Sequence, residues 1–335
     1  MTAFEPPPWA RNPHIQTLLG AVVDRRGDLP LIRERMSLAD GDFLDLDWLS
    51  GIPREGPILL ILHGLEGSSR SPYIKRLLRA CAEAGWPAVV VHFRGCSGEP
   101  NRRERSYHGG ETGDLQQVVD LLTARYGHAL CAVGYSLGGS VLLKWLGERG
   151  ARADVVAAAA VSVPFDLASA ACRLDRGLSR LYQWVLLRWL KRSLKRKGRR
   201  LGYGGLEGLG RLTSFRAFDN AVTAPRHGFA DADDYYRRAS CLPYLRAITV
   251  PTLLVQAEDD PFLMPGTVPD ATALSPAIDL TLCPYGGHVG FISGGTPWSP
   301  YFWLNDRLRD FFAPYMEASG TGGQKDGVRR EAGDR

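Results

Sequence analysis

Ala129-Leu130-Cys131-Ala132-Val133-Gly134-Tyr135-Ser136-Leu137-Gly138 runs from an unbroken apolar stretch straight into a G-x-S-x-G pentapeptide. The helix-compatible segment Ser140-Val141-Leu142-Leu143-Lys144-Trp145-Leu146 follows at once. Strand, sharp turn and helix are the setting in which this pentapeptide presents a serine nucleophile on a strained backbone. The flanking glycines let strand and helix pass closely where a Cβ would clash. The competing reading is a glycine-rich turn that happens to carry a serine, and such a turn needs no base or carboxylate elsewhere in the chain.

Upstream, Pro57-Ile58-Leu59-Leu60-Ile61-Leu62 is another continuous apolar run, ending at His63-Gly64. Such a run suits a central strand of a parallel sheet, buried on both faces. A helical pattern extends from Ser71-Pro72 to Ala84 and stops at Gly85, with a proline at its start and a glycine at its end. Ala88 to Phe93 is the next strand, followed by the loop Arg94-Gly95-Cys96-Ser97-Gly98 and a helix over about Asp114 to Arg125. Val155 to Val163, Val250 to Gln256 and the shorter Leu280 to Cys283 are further buried-strand candidates. This alternation predicts a doubly wound α/β fold with a mostly parallel central sheet.

One interval breaks the rhythm. Between Phe165 and Ile248 the sequence is helical and loop-like with no core strand, too long for a simple connection. It is expected to form a helical cap (167–247) inserted between the two parts of the core, 1–166 and 248–317. The glycine-rich, charged stretch 318–335, almost without apolar residues, is expected to be a disordered tail.

With 335 residues the chain fits one large α/β domain or two small ones. Its net charge of +5 is too mild to argue for nucleic acid. Six cysteines are scattered without C-x-x-C pairing, which reads as a reduced, cytoplasmic inventory rather than a disulfide framework. The N-terminus lacks the basic and apolar regions of a signal peptide. The longest apolar stretch, Val155 to Val163, falls far short of the roughly 20 residues of a spanning helix.

A serine hydroxyl needs an adjacent base, itself oriented by a third group. In the α/β-hydrolase arrangement, which the strand–elbow–helix around Ser136 resembles, the order is serine, then a carboxylate after a late strand, then histidine after the last. Thr252 to Ala257 is that late strand, and Glu258-Asp259-Asp260-Pro261 follows it. Asp260 is favoured as the orienting carboxylate because Pro261 fixes the turn that presents it. Asp259 ranks second and Glu258 third, and loop solvation accounts for one or two of the three. His288, after Tyr285-Gly286-Gly287, is the base, since the two glycines allow a tight loop that aims the imidazole back at Ser136. His92 reads as a satisfied core or rim histidine, and no histidine spacing suggests a metal site. Backbone N–H groups must also stabilise a developing oxyanion. Leu137, following the nucleophile, and Leu65, in the loop His63-Gly64-Leu65-Glu66-Gly67-Ser68-Ser69, are assigned this role, with His63 buttressing the loop. This chemistry requires no cofactor.

Taken together, the chain resembles the α/β-hydrolase superfamily and, more narrowly, its YheT-like (ABHD1/3-type) hydrolases. The narrower likeness rests on Asn12-Pro13-His14-Ile15-Gln16-Thr17, on HGLEGSS with Ser71-Pro72-Tyr73, on Phe93-Arg94-Gly95-Cys96-Ser97-Gly98 and on Tyr107-His108-Gly109-Gly110. The elbow Gly-Tyr-Ser-Leu-Gly-Gly, Asp259-Asp260-Pro261-Phe262 and Gly286-Gly287-His288-Val289-Gly290-Phe291 complete it, over roughly Pro6 to Pro314. The resemblance implies a carboxylic-ester hydrolase acting on a small-molecule ester or lipid, with bacterial relatives being short-chain esterases and eukaryotic ones acting on lipids. Thioesterase, acyltransferase or peptidase chemistry uses the same serine, and a binding protein that keeps only the fold is the alternative of another class. Against that last reading stands the complete set of nucleophile, base and orienter in order.

The cap carries the strongest charge asymmetry. Arg180, Arg188, Lys191, Arg192, Lys195, Arg196, Lys197, Arg199 and Arg200 surround Leu181, Tyr182, Trp184, Val185, Leu186, Leu187, Trp189, Leu190 and Leu194. Two readings stand: peripheral contact with an anionic membrane surface, or a lid helix with its apolar face on the core and its basic end in water. In both, Trp184 and Trp189 are expected to line an acyl pocket. No nucleic-acid motif accompanies the basic cluster.

Overall fold

The structure, a computed structural model, describes residues 4–23, 27–202 and 207–317. The stretch 318–335, expected to be a disordered tail, lies outside the described residues. Helix α1 (Pro13–Val22) opens on Asn12, whose side chain accepts hydrogen bonds from the N–H groups of His14 and Ile15, with Pro13 in the first turn. Strands β1 (Leu31–Ser37) and β2 (Phe43–Leu49) then form an antiparallel hairpin. Next come β3 (Ile58–Leu62), α2 (Pro72–Ala84), β4 (Ala88–Val91), α3 (Thr112–Tyr126), β5 (Leu130–Tyr135), α4 (Leu137–Arg149) and β6 (Ala157–Val161). After a helical interval the sheet resumes with β7 (Thr252–Ala257) and β8 (Ile278–Cys283). A two-stranded ribbon, β9 (Ile292–Thr296) with β10 (Ser299–Phe302), leads into the last helix, Trp303–Met316.

The eight strands of the main sheet lie in the order β1-β2-β4-β3-β5-β6-β7-β8. Strands β3 to β8 are parallel, and β2 runs against both its neighbours. The continuous apolar runs are explained by burial on both faces. Ile58, Leu60 and Leu62 join Leu115, Val118, Val141 and Leu142 of α3 and α4 on one side. Leu59 and Ile61 pack with Ile74 and Leu77 of α2 and with Leu308 and Phe312 of the last helix on the other. Each such side chain, fully buried, contributes on the order of 1.5–3 kcal/mol. Helix α2 places Ile74, Leu77, Leu78 and Cys81 on one stripe and ends at Gly85 in the left-handed region (φ 69°).

The hairpin is buried along the whole of β2 although it carries two acids. Asp45 pairs with Arg35 at 2.8 Å, and Asp47 pairs with Arg33 and with His92, each at 2.7 Å. Buried charge is tolerated there because each carboxylate has cationic and hydroxyl partners.

Between β6 and β7 the described residues form helices and no strand: α5 (Leu167–Leu174), α6 (Ser179–Leu201), α7 (Phe215–Phe218), α8 (Ala224–His227) and α9 (Ala232–Ala239). A wide π-helical turn, Asp219–Thr223, joins α7 to α8. The 23-residue α6 ends at Gly202, again left-handed. The C-terminal ends of β3, β5, β7 and β8 converge beneath this insert, on the edge of a parallel sheet where ligand sites form.

Candidate active site

Ser136 stands at the junction of β5 and α4 with φ 51° and ψ −119°, a conformation that costs a non-glycine residue on the order of 1–3 kcal/mol. Its N–H donates to Val161 O at 2.8 Å, and its own carbonyl accepts the N–H of Ser140. The two glycines of the pentapeptide are required by close approach. A Cβ on Gly134 would lie 2.4 Å from Gly138 O, and one on Gly138 would lie 2.5 Å from His63 O.

Ser136 Oγ is 2.9 Å from Nε2 of His288. At the other end of the ring, Nδ1 of His288 is 2.9 Å from Oδ2 of Asp260 and 3.2 Å from Oδ1. A carboxylate can only accept, so Nδ1 carries the proton and Nε2 is left to accept from the serine hydroxyl. Asp260 is 2% exposed. Its Oδ1 also accepts the N–H of Phe262 at 2.8 Å and its Oδ2 the side-chain amide of Gln256 at 3.3 Å. Asp259 does not reach the imidazole ring. Its Oδ1 accepts the N–H of Gly287 at 2.8 Å, and burial pushes its carboxyl up to about 6.

The loop bearing His288 is held at three successive peptide groups. The N–H of Gly287 donates to Asp259, that of His288 to Thr17 Oγ1 and that of Val289 to Ser162 Oγ, the last two at 2.9 Å. Thr17 donates in turn to Pro13 O at 2.7 Å. Gln16, one residue earlier on α1, bonds both the N–H and the carbonyl of Ile292. The ring of Phe262 stacks on the imidazole with centroids 3.9 Å apart. Thr17, Gln16, Ser162 and Phe262 were not singled out from sequence. The Asn12-to-Thr17 and Asp259-to-Phe262 strings contain three of them, but residue type alone gives no role.

The N–H groups of Leu65 and Leu137 have no acceptor among the described residues, and both residues line a cavity with Ser136 and His288. Leu137 begins α4, where free N–H groups and the helix dipole favour negative charge. The Gly64 carbonyl, on the same peptide unit as the Leu65 N–H, accepts from His63 Nδ1 at 2.7 Å and from Gly67 N–H at 3.0 Å. His63 Nε2 accepts the N–H of Phe93 at 3.2 Å, which fixes the tautomer. Burial, with a smaller effect of His92, pushes His63 down to about 3, so it stays neutral and anchors the loop.

The cavity measures about 170 Å³. Its apolar wall comes largely from the insert, including Leu167, Leu174, Leu186, Leu190, Phe218 and Val222. Trp184 and Trp189, expected to line it, do not: they are 58% and 49% exposed. Helical geometry gives the reason for Trp184, while Trp189 sits at the edge of the inward face, about 60° from Leu186. Leu186, Leu190, Ser193, Leu194 and Lys197 share the inward face of α6, and Trp184 lies about 160° around the axis from Leu186. Arg188 lies over the outward Trp184 ring at 5.6 Å. The basic end of α6 is divided. Lys197 is buried, donating to Glu104 O, Arg105 O and Ser106 Oγ, and Arg200 pairs with Glu99, whereas Arg188, Arg192, Lys195 and Arg199 face outward.

Comparison with known proteins gives the family. A family model described as the alpha/beta hydrolase fold matches residues 57–295. YheT of Escherichia coli (strain K12) is 44% identical over 316 residues, covering 92% of each chain. Phospholipase ABHD3 of Mus musculus is 32% identical over 306 residues, covering 88% of this chain and 74% of that protein. Among solved structures, the Pyrococcus furiosus esterase PF2001 superposes with a TM-score of 0.57 at 16% identity, covering 88% of this chain and 96% of that one, a likeness of fold.

Proposed function

The chain belongs to the α/β-hydrolase fold family as a YheT-like carboxylic-ester hydrolase, and we propose that it works through Ser136, His288 and Asp260 by way of an acyl-enzyme. The observation that carries this reading is the unbroken chain of contacts from Ser136 Oγ through the imidazole to Asp260, each link 2.9 Å. His288 Nε2 takes the hydroxyl proton as Oγ attacks the ester carbonyl carbon. The carbonyl oxygen becomes negative and is held by the N–H groups of Leu65 and Leu137. As the C–O bond to the alcohol breaks, the imidazolium gives its proton to the leaving oxygen. Water, deprotonated by the same nitrogen, then attacks the acyl-serine; its proton returns to Ser136 Oγ, freeing the acid. Asp260 holds the ring and stabilises the imidazolium throughout.

The insert supplies most of the apolar cavity wall, which supports its role as a cap (167–247) over an acyl chain. Its outer face supports contact with an anionic membrane surface. Leu178 and Leu181 are 69% and 59% exposed beside Trp184 and Trp189, and Arg180, Arg188, Arg192, Lys195 and Arg199 stand out along the same helix and its start. No helix among the described residues is long and apolar enough to cross a membrane.

Hydrolysis of p-nitrophenyl esters from acetate to palmitate, with and without anionic vesicles, tests the reading. Turnover lost in Ser136→Ala at every chain length is the expected result. Undiminished turnover in that variant would overturn it.

A further inference from the structure

Glu66 follows Leu65 and has φ 53°, in the left-handed region that favours glycine. Three hydrogen bonds hold it there. Its N–H donates to Tyr107 Oη at 2.8 Å, and the tyrosine hydroxyl donates back to Glu66 Oε1 at 2.9 Å. Ser193, on the inward face of α6, donates its hydroxyl to Glu66 Oε2 at 2.5 Å. The Tyr107 ring is itself fixed, stacked on Phe93 with centroids 5.1 Å apart and planes 8° from parallel. Leu65 is thus gripped on both sides. The peptide before it is anchored by His63 and Gly67 through Gly64 O, and the peptide after it by Tyr107 through the Glu66 N–H. The first grip lies wholly within the core. The second shares its carboxylate with the insert.

We propose that Ser193, Glu66 and Tyr107 form a latch by which the seating of α6 sets the direction of the Leu65 N–H, so that the insert controls turnover as well as covering the acyl chain. The inference rests on the esterase reading above and makes these three positioning residues. With α6 seated, Ser193 completes the hydrogen bonding of Glu66, the strained turn is held, and the Leu65 N–H points at the site of the developing oxyanion. With α6 lifted, Glu66 loses that partner, the turn relaxes and the donor moves out of line. An ester too short to touch the apolar wall therefore still depends on the insert.

The test uses the full chain with p-nitrophenyl acetate, together with fluorophosphonate labelling of the wild type. Ser193→Ala and Tyr107→Phe are expected to lower kcat about 10- to 100-fold, the range for a misaligned donor, with KM changed less than about twofold. Ser193→Thr, which keeps the hydroxyl, is expected to recover to within about threefold of wild type. A merely structural contact would raise KM for long esters and leave kcat on acetate untouched. Ser193→Ala with kcat on acetate within about twofold of wild type overturns the latch while the esterase reading stands. A wild-type chain that neither labels nor turns over acetate overturns the esterase reading, and the latch with it.

Discussion

Asp260 and His288 meet at 2.9 Å, Oδ2 to Nδ1, while the neighbouring Asp259 reaches only the backbone N–H of Gly287. Two adjacent carboxylates thus do different work, one on the ring and one on the loop that carries it. Asp260→Asn is expected to lower kcat/KM by about 10³- to 10⁴-fold, because an amide stabilises the wrong tautomer and no imidazolium. Asp259→Asn keeps an oxygen for Gly287 and is expected to cost less than about tenfold. Steady-state kinetics on a soluble ester compare them directly. Equal losses would contradict the division of roles.

Thr17 ties α1 to the catalytic loop by accepting the N–H of His288 at 2.9 Å. Thr17→Val keeps the shape and removes the acceptor, stranding a part-buried N–H at a cost of about 1–3 kcal/mol. Lower kcat and a lower urea midpoint are expected together, and Thr17→Ser should restore both. An unchanged variant would remove α1 from the account of the site.

Asp219, buried in the π-helical turn, accepts from Thr223 Oγ1 at 2.6 Å and Tyr236 Oη at 2.7 Å, yet burial outweighs both and raises its carboxyl from 3.8 to about 6. A folded-state value above the unfolded one means that the folded chain binds more protons between the two. The stability this group contributes is therefore full below about pH 4 and is lost as pH rises through about 6. The difference in urea stability between wild type and Asp219→Asn is expected to fall by about 3 kcal/mol over that window, since each tenfold change in proton affinity is worth about 1.4 kcal/mol. A difference that stays flat with pH would show that Asp219 is ionised throughout.

Trp184 and Trp189 point outward. Their joint replacement by alanine is expected to leave p-nitrophenyl acetate kinetics unchanged and to weaken co-sedimentation with phosphatidylglycerol vesicles severalfold, as loss of interfacial anchors does. Vesicle binding equal to wild type would separate the exposed face of α6 from any membrane.

The central sheet was legible because strands buried on both faces read as uninterrupted apolar runs, as Ile58–Leu62 and Leu130–Tyr135 do. The hairpin was missed. Asp45 and Asp47 make β2 look like a polar loop, and it becomes buryable through partners brought by tertiary structure: Arg33 and Arg35 across the strands, with His92, Ser69 and Ser97. A signal was present in the alternation of Leu44, Leu46 and Trp48. Ser136, Asp260 and His288 could be named from their order and their turns, since each follows a strand end. Thr17, Ser162 and Ser193 could not, because each acts through a hydroxyl placed by tertiary contact, and a lone serine or threonine carries no local pattern. The facing of α6 failed for a related reason: composition marked the helix as amphipathic, but which stripe turns inward is decided by the core it meets.

Activation of Ser136 by His288 is tested most directly by intact-protein mass spectrometry after fluorophosphonate treatment, followed by peptide mapping. A single adduct on Ser136, absent in Ser136→Ala and strongly slowed in His288→Ala, is the result predicted for a serine activated by that histidine. No adduct on Ser136, in a folded chain that still hydrolyses esters, would contradict it.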